Sequence, residues 1–252
     1  MASKPRPIKE RLDRVLVAQG LVESRELAVK AVLAGGVRVD GAVVDKPSKM
    51  VVTDAPIEVK RPTAFVSRSG DKLAAALNAF QIDSAGVIAL DVGCSTGGFT
   101  ECLLQRGARC VYAIDVGYGQ FEWRLRQDSR VILLERTNIR YVDRTIVPES
   151  IDVAVIDVSF ISLTLVLPAV VSLLSARAHV VALVKPQFEV GKGQVGRGGI
   201  VRDDAQRRAV TEKVLACAQQ LGLSVRGSLD SPVIGRKGNR EILVGFERDR
   251  AK

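Results

Sequence analysis

The pattern of hydrophobic and polar positions divides the chain near residue 60. Beyond that point, short apolar segments typical of buried strands alternate with longer segments of helical periodicity. Strands are predicted near 87–92, 110–115, 131–135, 151–157 and 179–185, then near 223–229 and 241–247, with a helix at about 203–221 before the last pair. Five strands separated by helices and followed by a final pair predict an α/β fold with a parallel sheet and one late antiparallel strand.

The first sixty residues have a different pattern. Helical periodicity over 9–17 predicts one helix, and a second is predicted from Ser24, as its N-cap, to the glycines at 35–36. Alternation over 37–44, interrupted at Asp40–Gly41, predicts a β-hairpin. Together these elements predict a small α+β domain.

A break between the two patterns occurs at Arg61-Pro62-Thr63, where the proline removes a backbone donor and stiffens the chain. We therefore predict a small domain over 1–60, a linker over 61–66 and a larger α/β domain over 67–252.

Composition narrows the class of protein. Hydrophobic residues make up 47% of the 252, enough for a full core, yet no apolar run reaches the roughly 20 residues that span a bilayer. The four cysteines lack paired CxxC spacing, which disfavours a zinc site or a disulfide framework. No cluster of carboxylates or histidines calls for another metal. We expect a cytoplasmic protein that does not act on membranes, and its net charge of +9 favours polyanionic partners.

A glycine-rich turn after the strand at 87–92 is the most informative segment of the chain. Such a turn lets a ligand approach the backbone, and the helix that follows offers unpaired N–H groups. We expect Asp91, which ends this strand, to face the ligand; its carboxylate would repel a pyrophosphate and suits a positively charged group such as the methionine end of S-adenosylmethionine. Asp115, which ends the next strand, is placed to bind a ribose. The alternative is an ordinary turn, but the two acids favour a nucleotide-type cofactor. A nicotinamide cofactor is disfavoured because the turn lacks GxGxxG spacing.

Four further charged residues require an explanation. Lys72 opens the helix before the first sheet strand, Asp157 and Lys185 end apolar strands, and Glu241 begins the last strand. The carboxyl ends of parallel strands meet at one edge of a sheet, so we expect Asp91, Asp157 and Lys185 to meet at its crevice. Any one of them alone can be a solvated boundary residue, whereas several at one site favour a functional interpretation.

The N-terminal pattern resembles the alpha-L RNA-binding module of a small-subunit ribosomal protein, pseudouridine synthases and tyrosyl-tRNA synthetases. The matching residues are Arg11-Leu12-Asp13, Ser24-Arg25, Ala28, the segment 36–41 and Lys46-Pro47. The resemblance implies a platform that grips the phosphates of folded RNA. The alternative is that these charges are a solvated helix face.

The whole chain resembles the hemolysin-A/TlyA family, which joins that module to an FtsJ-type RNA 2′-O-methyltransferase domain. The resemblance rests on Ser67-Arg68 through Lys72, Asp91 through Thr100, Asp115 through Gln120, Asp157 through Leu163, Lys185 through Glu189 and Asn239-Arg240-Glu241. It implies a Rossmann-like methyltransferase sheet, S-adenosyl-L-methionine as cofactor, and structured ribosomal RNA or ribosomal subunits as partner. It also implies a catalytic Lys-Asp-Lys-Glu tetrad made of Lys72, Asp157, Lys185 and Glu241. We expect the protein to be a monomer.

The residues expected to bind ligands form two sets. The predicted cofactor contacts are Asp91, Gly93, Ser95, Thr96, Gly97, Gly98, Asp115, Asn138 and Asp157. Asn138 belongs to this set because the adenine-side acid of related enzymes is expected to be replaced around Thr137–Asn138. The predicted RNA contacts are Arg11, Arg25, Lys30, Arg38, Lys46, Arg68, Lys192 and Arg197. The last two lie in a glycine-rich basic segment, which we interpret as an RNA clamp rather than an ordinary connection.

The chemistry implied by the resemblance asks little of the protein. A ribose hydroxyl must be aligned with the methyl carbon and the sulfonium sulfur, and one proton must be removed or steered. We expect Lys185 to act as base or oxygen-orienting group with Asp157 as its partner, while Lys72 and Glu241 orient the ribose. Two alternatives are a non-catalytic RNA-binding or ribosome-assembly factor and a membrane-lytic hemolysin.

Overall fold

The structure, a computed structural model, describes residues 7–33, 35–59, 65–191, 195–235 and 238–249. The side chains of Lys30 and Arg197 lie outside the described part. The chain divides into two compact units between Pro62 and Thr63. Each unit folds around its own hydrophobic core.

The first unit combines two helices with short strands. Its elements in chain order are β1 (Lys9–Arg11), α1 (Leu12–Ala18), α2 (Arg25–Leu33), β2 (Val37–Val39), β3 (Ala42–Val43), β4 (Met50–Val52) and β5 (Ile57–Val59). β1 pairs with β4, and β2 pairs with both β3 and β5, in every case antiparallel. The apolar faces of α1 and α2 pack on β2 and form a core that includes Leu12, Leu16 and Val32.

The predicted hairpin and both predicted helices of this unit are present, with one correction. The backbone N–H of Leu27 donates to the Ser24 hydroxyl, which is the predicted N-cap. The helix predicted over 9–17 begins only at Leu12, because the backbone of Lys9–Arg11 pairs with Met50–Val52 instead. The strands β4 and β5 were not predicted, since each has only three residues and too little alternation to recognise.

The second unit is a seven-stranded sheet between two layers of helices. Its elements are α3 (Ser69–Ala79), β6 (Ile88–Val92), α4 (Gly98–Gln105), β7 (Cys110–Ile114), α5 (Trp123–Arg126), β8 (Val131–Leu134), β9 (Ile151–Ile156), α6 (Leu163–Leu173), β10 (Leu174–Val184), α7 (Pro186–Glu189), α8 (Asp204–Gln220), β11 (Ser224–Asp230) and β12 (Ile242–Asp249). The strand order is β11-β12-β10-β9-β6-β7-β8. One core lies on the side of α6 and α8, and the other on the side of α3 and α4.

This architecture confirms the predicted α/β fold class and its small N-terminal α+β domain. All seven predicted strands are present, and the one that runs antiparallel is β12, which lies between β10 and β11. Of the linker predicted over 61–66, only Phe65 and Val66 are described, and both pack on the core beside α3 and α4.

Candidate active site

Strand register brings three of the predicted residues to one edge of the sheet. Asp157 follows β9, Lys185 follows β10, and Glu241 precedes β12. β10 lies between the other two strands, and its last residue, Val184, pairs with Ile242. The three residues therefore lie side by side at the carboxyl edge of the parallel strands, where ligands bind in open α/β sheets.

The four residues of the predicted tetrad form two ion pairs. Lys185 Nζ lies 2.6 Å from Asp157 Oδ1 and donates a hydrogen bond of 3.0 Å to the Ser159 hydroxyl. Lys72 Nζ, on the first turn of α3, donates to Glu241 Oε2 at 2.6 Å. Lys72 and Glu241 are only 8% and 4% exposed, so each requires the other's charge: an unpaired ion at such a position is strongly destabilising.

An aromatic pair lies beside Lys185. The ring centroids of Phe160 and Phe188 are 4.9 Å apart, and Lys185 Nζ lies 6.0 Å from the centroid of Phe188. Phe160 is 89% exposed, and its φ of 63° is in the left-handed region that bulky residues rarely adopt. Backbone strain of this kind concentrates at functional sites. Neither ring was predicted as a site residue, although each follows a tetrad residue by three positions.

The glycine-rich turn after β6 has the backbone that the sequence led us to expect. Gly93 has a φ of 83°, and a Cβ on it would lie 2.5 Å from the carbonyl oxygen of Asp157. Gly97 has a φ of 95°, and α4 begins at Gly98. Ser95 also adopts a positive φ, of 47°, without being a glycine. The turn lies between β6 and β9, where the strand order of the sheet reverses.

Asp115 closes the other side of this turn. Its Oδ2 accepts the backbone N–H of Ser95 at 2.8 Å, and its Oδ1 accepts that of Gly117 at 2.6 Å. The carboxylate is half-buried and keeps lone pairs free for further donors. Asp115 is therefore held in place by the turn with part of its carboxylate exposed, and its contact with a ribose stays a prediction.

Asp91 corrects the expectation that its carboxylate faces the ligand rather than the core. Alternation along β6 places it on the same face as Ala89, under α4, where none of its surface is exposed. Its Oδ2 accepts the Thr100 hydroxyl at 2.6 Å, which joins the strand to α4. Burial raises the pKa of Asp91 to about 7 despite this bond.

The segment after β8 contains the residues expected to replace the adenine-side acid. Glu135 directly follows β8, two residues before Thr137–Asn138, and the role of Asn138 stays a prediction. Glu135 accepts the backbone N–H of Gly119 at 2.8 Å and forms an ion pair with Arg126. Asn138 Oδ1 is used locally, because it accepts the N–H of Arg140 and caps a short 3-10 helix.

In the first unit, two of the predicted RNA contacts share one buried carboxylate. Arg11 and Arg25 donate to Asp13 at 2.9–3.0 Å, and the bonds from Arg11 make the largest contribution to lowering the pKa of Asp13 to about 2. Both guanidinium groups are partly exposed and keep unused N–H donors. Arg38 donates to the carbonyl of Gly41 at 2.8 Å, and Lys46 is exposed.

Two further predicted contacts lie in the second unit. Arg68, predicted to bind RNA, is exposed just before α3. Thr96, predicted to bind the cofactor, accepts the backbone N–H of Glu122 through its carbonyl oxygen. Lys192 and the side chains of Lys30 and Arg197 are outside the described residues.

Within the described ranges, no group of three potential metal ligands occurs. The helices of that same part of the chain are all too short or too polar to cross a membrane.

Comparison with known proteins identifies the family. Residues 65–248 match the model of the FtsJ-like methyltransferases, and residues 10–57 match that of the S4 domain. The chain belongs to the FtsJ-like methyltransferase family. This membership confirms the predicted enzyme class and the prediction of S-adenosylmethionine as the cofactor.

Relatives agree with this assignment along the whole chain. A protein from Mycobacterium tuberculosis named 16S/23S rRNA (cytidine-2′-O)-methyltransferase TlyA is 47% identical over 247 residues, which are 96% of this chain and 92% of that protein. Hemolysin A of Brachyspira hyodysenteriae is 40% identical and covers 94% of this chain and 99% of its own. The structure of a hemolysin candidate from Streptococcus thermophilus superposes with a TM-score of 0.75 at 44% identity, over 97% and 90% of the two chains. These matches confirm the resemblance to the hemolysin-A/TlyA family.

The residues of this FtsJ-like enzyme fit S-adenosylmethionine at the glycine-rich turn. The positive φ values of Gly93 and Gly97 let the backbone turn tightly between β6 and α4, and Asp115, bonded to the N–H of Ser95 in this turn, keeps carboxylate lone pairs for a ligand. When bound, the cofactor supplies a methyl group on a sulfonium leaving group. The turn and Asp115 would hold it, whereas Asp91 supports the turn from below.

Replacing Asp91 by asparagine tests the role of this buried acid. In the folded protein, the carboxyl group of Asp91 keeps its proton up to a pH of about 7. In the unfolded chain, an aspartate with the ordinary pKa of 3.8 loses its proton near pH 4. The contribution of Asp91 to the free energy of unfolding should therefore increase as the pH falls from 7 to 4. We expect the Asp91→Asn variant to be more stable relative to wild type at pH 8 than at pH 5, as measured by urea unfolding.

The matched control for this measurement is Asp83→Asn, which removes an exposed acid from the same unit. Its stability relative to wild type should be nearly the same at both pH values. If Asp91→Asn behaved like this control, Asp91 would be ionised in the folded protein, and the argument from burial would fail.

Proposed function

We propose that this protein transfers a methyl group from S-adenosylmethionine to a ribose 2′-hydroxyl of ribosomal RNA, with Lys72, Asp157, Lys185 and Glu241 as its catalytic residues. One observation carries the proposal. Lys185 is paired with Asp157 at the same sheet edge as the glycine-rich turn, and Asp157 directly adjoins Gly93 through its backbone. The proposed acceptor of the proton is thus next to the proposed binding site of the methyl donor.

The roles of the four residues follow from their contacts. Asp157 and Ser159 hold the amine of Lys185 in one position, from which it orients the 2′-oxygen. The amine of Lys185 would accept the hydroxyl proton while the 2′-oxygen bonds to the methyl carbon and the bond from that carbon to sulfur breaks, with its electron pair staying on sulfur. Lys72 and Glu241, more deeply buried, fix the wall of the site on the far side of Lys185.

The exposed ring of Phe160 and the partly buried ring of Phe188 support a nucleotide substrate at this place. Phe160 and Phe188 present an apolar face within reach of Lys185, and aromatic faces stack on unpaired RNA bases. We propose that the target nucleotide is held there while its ribose reaches Lys185. A nucleotide that is unpaired or turned out of a helix satisfies this geometry.

Recognition of the ribosomal RNA is assigned mainly to the S4 domain. The relative TlyA is named for action on 16S and 23S rRNA, and this chain carries a net charge of +9. We propose that Arg38 and Lys46, together with Arg68 in the second unit, contact phosphates. Arg11 and Arg25 contribute through the donors that Asp13 leaves free, and Lys30, Lys192 and Arg197 remain predictions. The enzyme is proposed to act as a monomer in the cytoplasm, where ribosomal subunits are found.

Substitution of Lys185 tests the catalytic assignment. Lys185→Ala should lower the rate of methyl transfer about a hundred- to ten-thousand-fold, because it removes a proposed general base, with little change in cofactor affinity. Lys185→Arg should be nearly as damaging, since a guanidinium stays protonated. The measurement is single-turnover transfer of labelled methyl groups from S-adenosylmethionine to purified ribosomal subunits. A rate close to wild type for Lys185→Arg would exclude proton acceptance.

Salt dependence of RNA binding tests the S4 assignment. The variant with Arg38→Gln and Lys46→Gln should have a shallower dependence of log affinity on log salt, by roughly 0.7 to 0.9 for each lost phosphate contact. Arg11 and Arg25 are less suitable, because their removal leaves the buried Asp13 unpaired. The control is Arg109→Gln, an exposed arginine before β7 at the opposite edge of the sheet. Equal slopes for wild type and double variant would contradict the assignment.

A further inference from the structure

We infer that Glu189 is a positioning residue that keeps Lys185 and Asp157 aligned for methyl transfer. This inference rests on the proposed function of that pair. Glu189 ends α7, the short helix that begins directly after Lys185, and it is only 5% exposed. A carboxylate is costly to bury, so its partners indicate what it holds in place.

Both carboxylate oxygens of Glu189 accept hydrogen bonds from residues at the start of α6. Oε1 accepts the backbone N–H of Leu163 at 2.8 Å, and Oε2 accepts the Ser162 hydroxyl at 2.6 Å. Ser162 is itself the N-cap of α6, because its Oγ accepts the N–H of Thr164 at 3.2 Å. The negative charge lies at the positive end of the helix dipole, which stabilises it. Glu189 therefore caps α6 from a different segment of the chain.

These bonds join the two loops that carry the catalytic pair. The first loop runs from Asp157 to Ser162, and the second runs from Lys185 to Glu189. Near the strands the loops are joined by the Lys185–Asp157 ion pair, and at the far end by Glu189. Between these two connections lie the rings of Phe160 and Phe188. Each loop is thus fixed relative to the other at both of its ends.

The chain near Lys185 makes this second connection necessary. Lys185 has extended backbone angles, and Pro186 at the first position of α7 fixes the direction in which the chain leaves. With four residues, α7 is too short to hold its own orientation. Bonding of Glu189 to α6, an eleven-residue helix packed in the core, supplies that orientation. Movement of α7 would move the amine of Lys185 away from the attacking oxygen.

Substitution of Glu189 should affect turnover rather than cofactor binding. We expect Glu189→Ala to lower kcat for methyl transfer to ribosomal subunits about a hundredfold, the loss that a misplacement of about 1 Å can cause. Affinity for S-adenosylmethionine, measured by calorimetry on the full chain, should change less than about twofold, because Glu189 bonds to the far end of the loop. The near end, beside the cofactor turn, is held separately by the backbone bond from Asp157 N–H to the carbonyl of Val92. Glu189→Gln should fall between wild type and alanine, since its amide oxygen still accepts the N–H of Leu163.

A matched control separates positioning from stability. Asp203 also caps a helix of this unit, as the N-cap residue of α8, because its Oδ1 accepts the N–H of Ala205 at 2.8 Å, but it is exposed and outside the two loops. Asp203→Ala should lower the melting temperature without lowering kcat. In addition, Ser162→Ala and Glu189→Ala should be non-additive in kcat, because both break the same connection.

The possible outcomes are distinct. Wild-type kcat in Glu189→Ala, or an equal loss of kcat in Asp203→Ala, would overturn the inference while leaving the proposed function intact. If Glu189→Ala does not fold, Glu189→Gln decides: a reduced kcat with unchanged cofactor affinity supports the inference, and wild-type kcat overturns it. Absence of methyl transfer by the wild-type protein would overturn the proposed function and the inference together.

Discussion

Two ion pairs at the carboxyl edge of one sheet are the interactions on which the site depends. Lys72 with Glu241 and Lys185 with Asp157 each join segments that are far apart in the sequence. Lys72 and Glu241 form the more buried pair, and neither charge is favourable there alone. Removing one of two buried partners destabilises a fold by several kcal/mol, on the order of 3–5. Pairing of β12 and β9 with β10 therefore brings the four residues to the same sheet edge.

The same sheet edge also connects the reaction to the cofactor. The backbone of Asp157 passes so close to Gly93 that no side chain fits between them, so the loop that carries this proposed catalytic residue also adjoins the glycine-rich turn. Glu189 then ties this loop to the one that carries Lys185. Donor binding, proton removal and target orientation are thereby assigned to neighbouring loops on a rigid core.

Much of this arrangement could be predicted from the sequence, because apolar strands that end in a charge identify both the sheet and its functional edge. The strands and the meeting of Asp157 with Lys185 follow from that pattern. The direction of the Asp91 side chain could not be predicted from the sequence. In the structure, Asp91 lies on the face of β6 that is covered by α4, and it points into the core. Side-chain bonds between different elements could not be predicted either, such as those of Asp13 with Arg11 and Arg25 or of Glu189 with the start of α6.

The central claim is that this site methylates the ribose 2′-oxygen of ribosomal RNA. Its most direct test is to incubate the full-length protein with labelled S-adenosylmethionine and ribosomal subunits from cells that lack the gene. The rRNA is then digested to nucleosides and analysed by mass spectrometry. The account predicts label in a 2′-O-methylated nucleoside. Label on a base, or no label in RNA under conditions where the protein binds both cofactor and subunits, would contradict it.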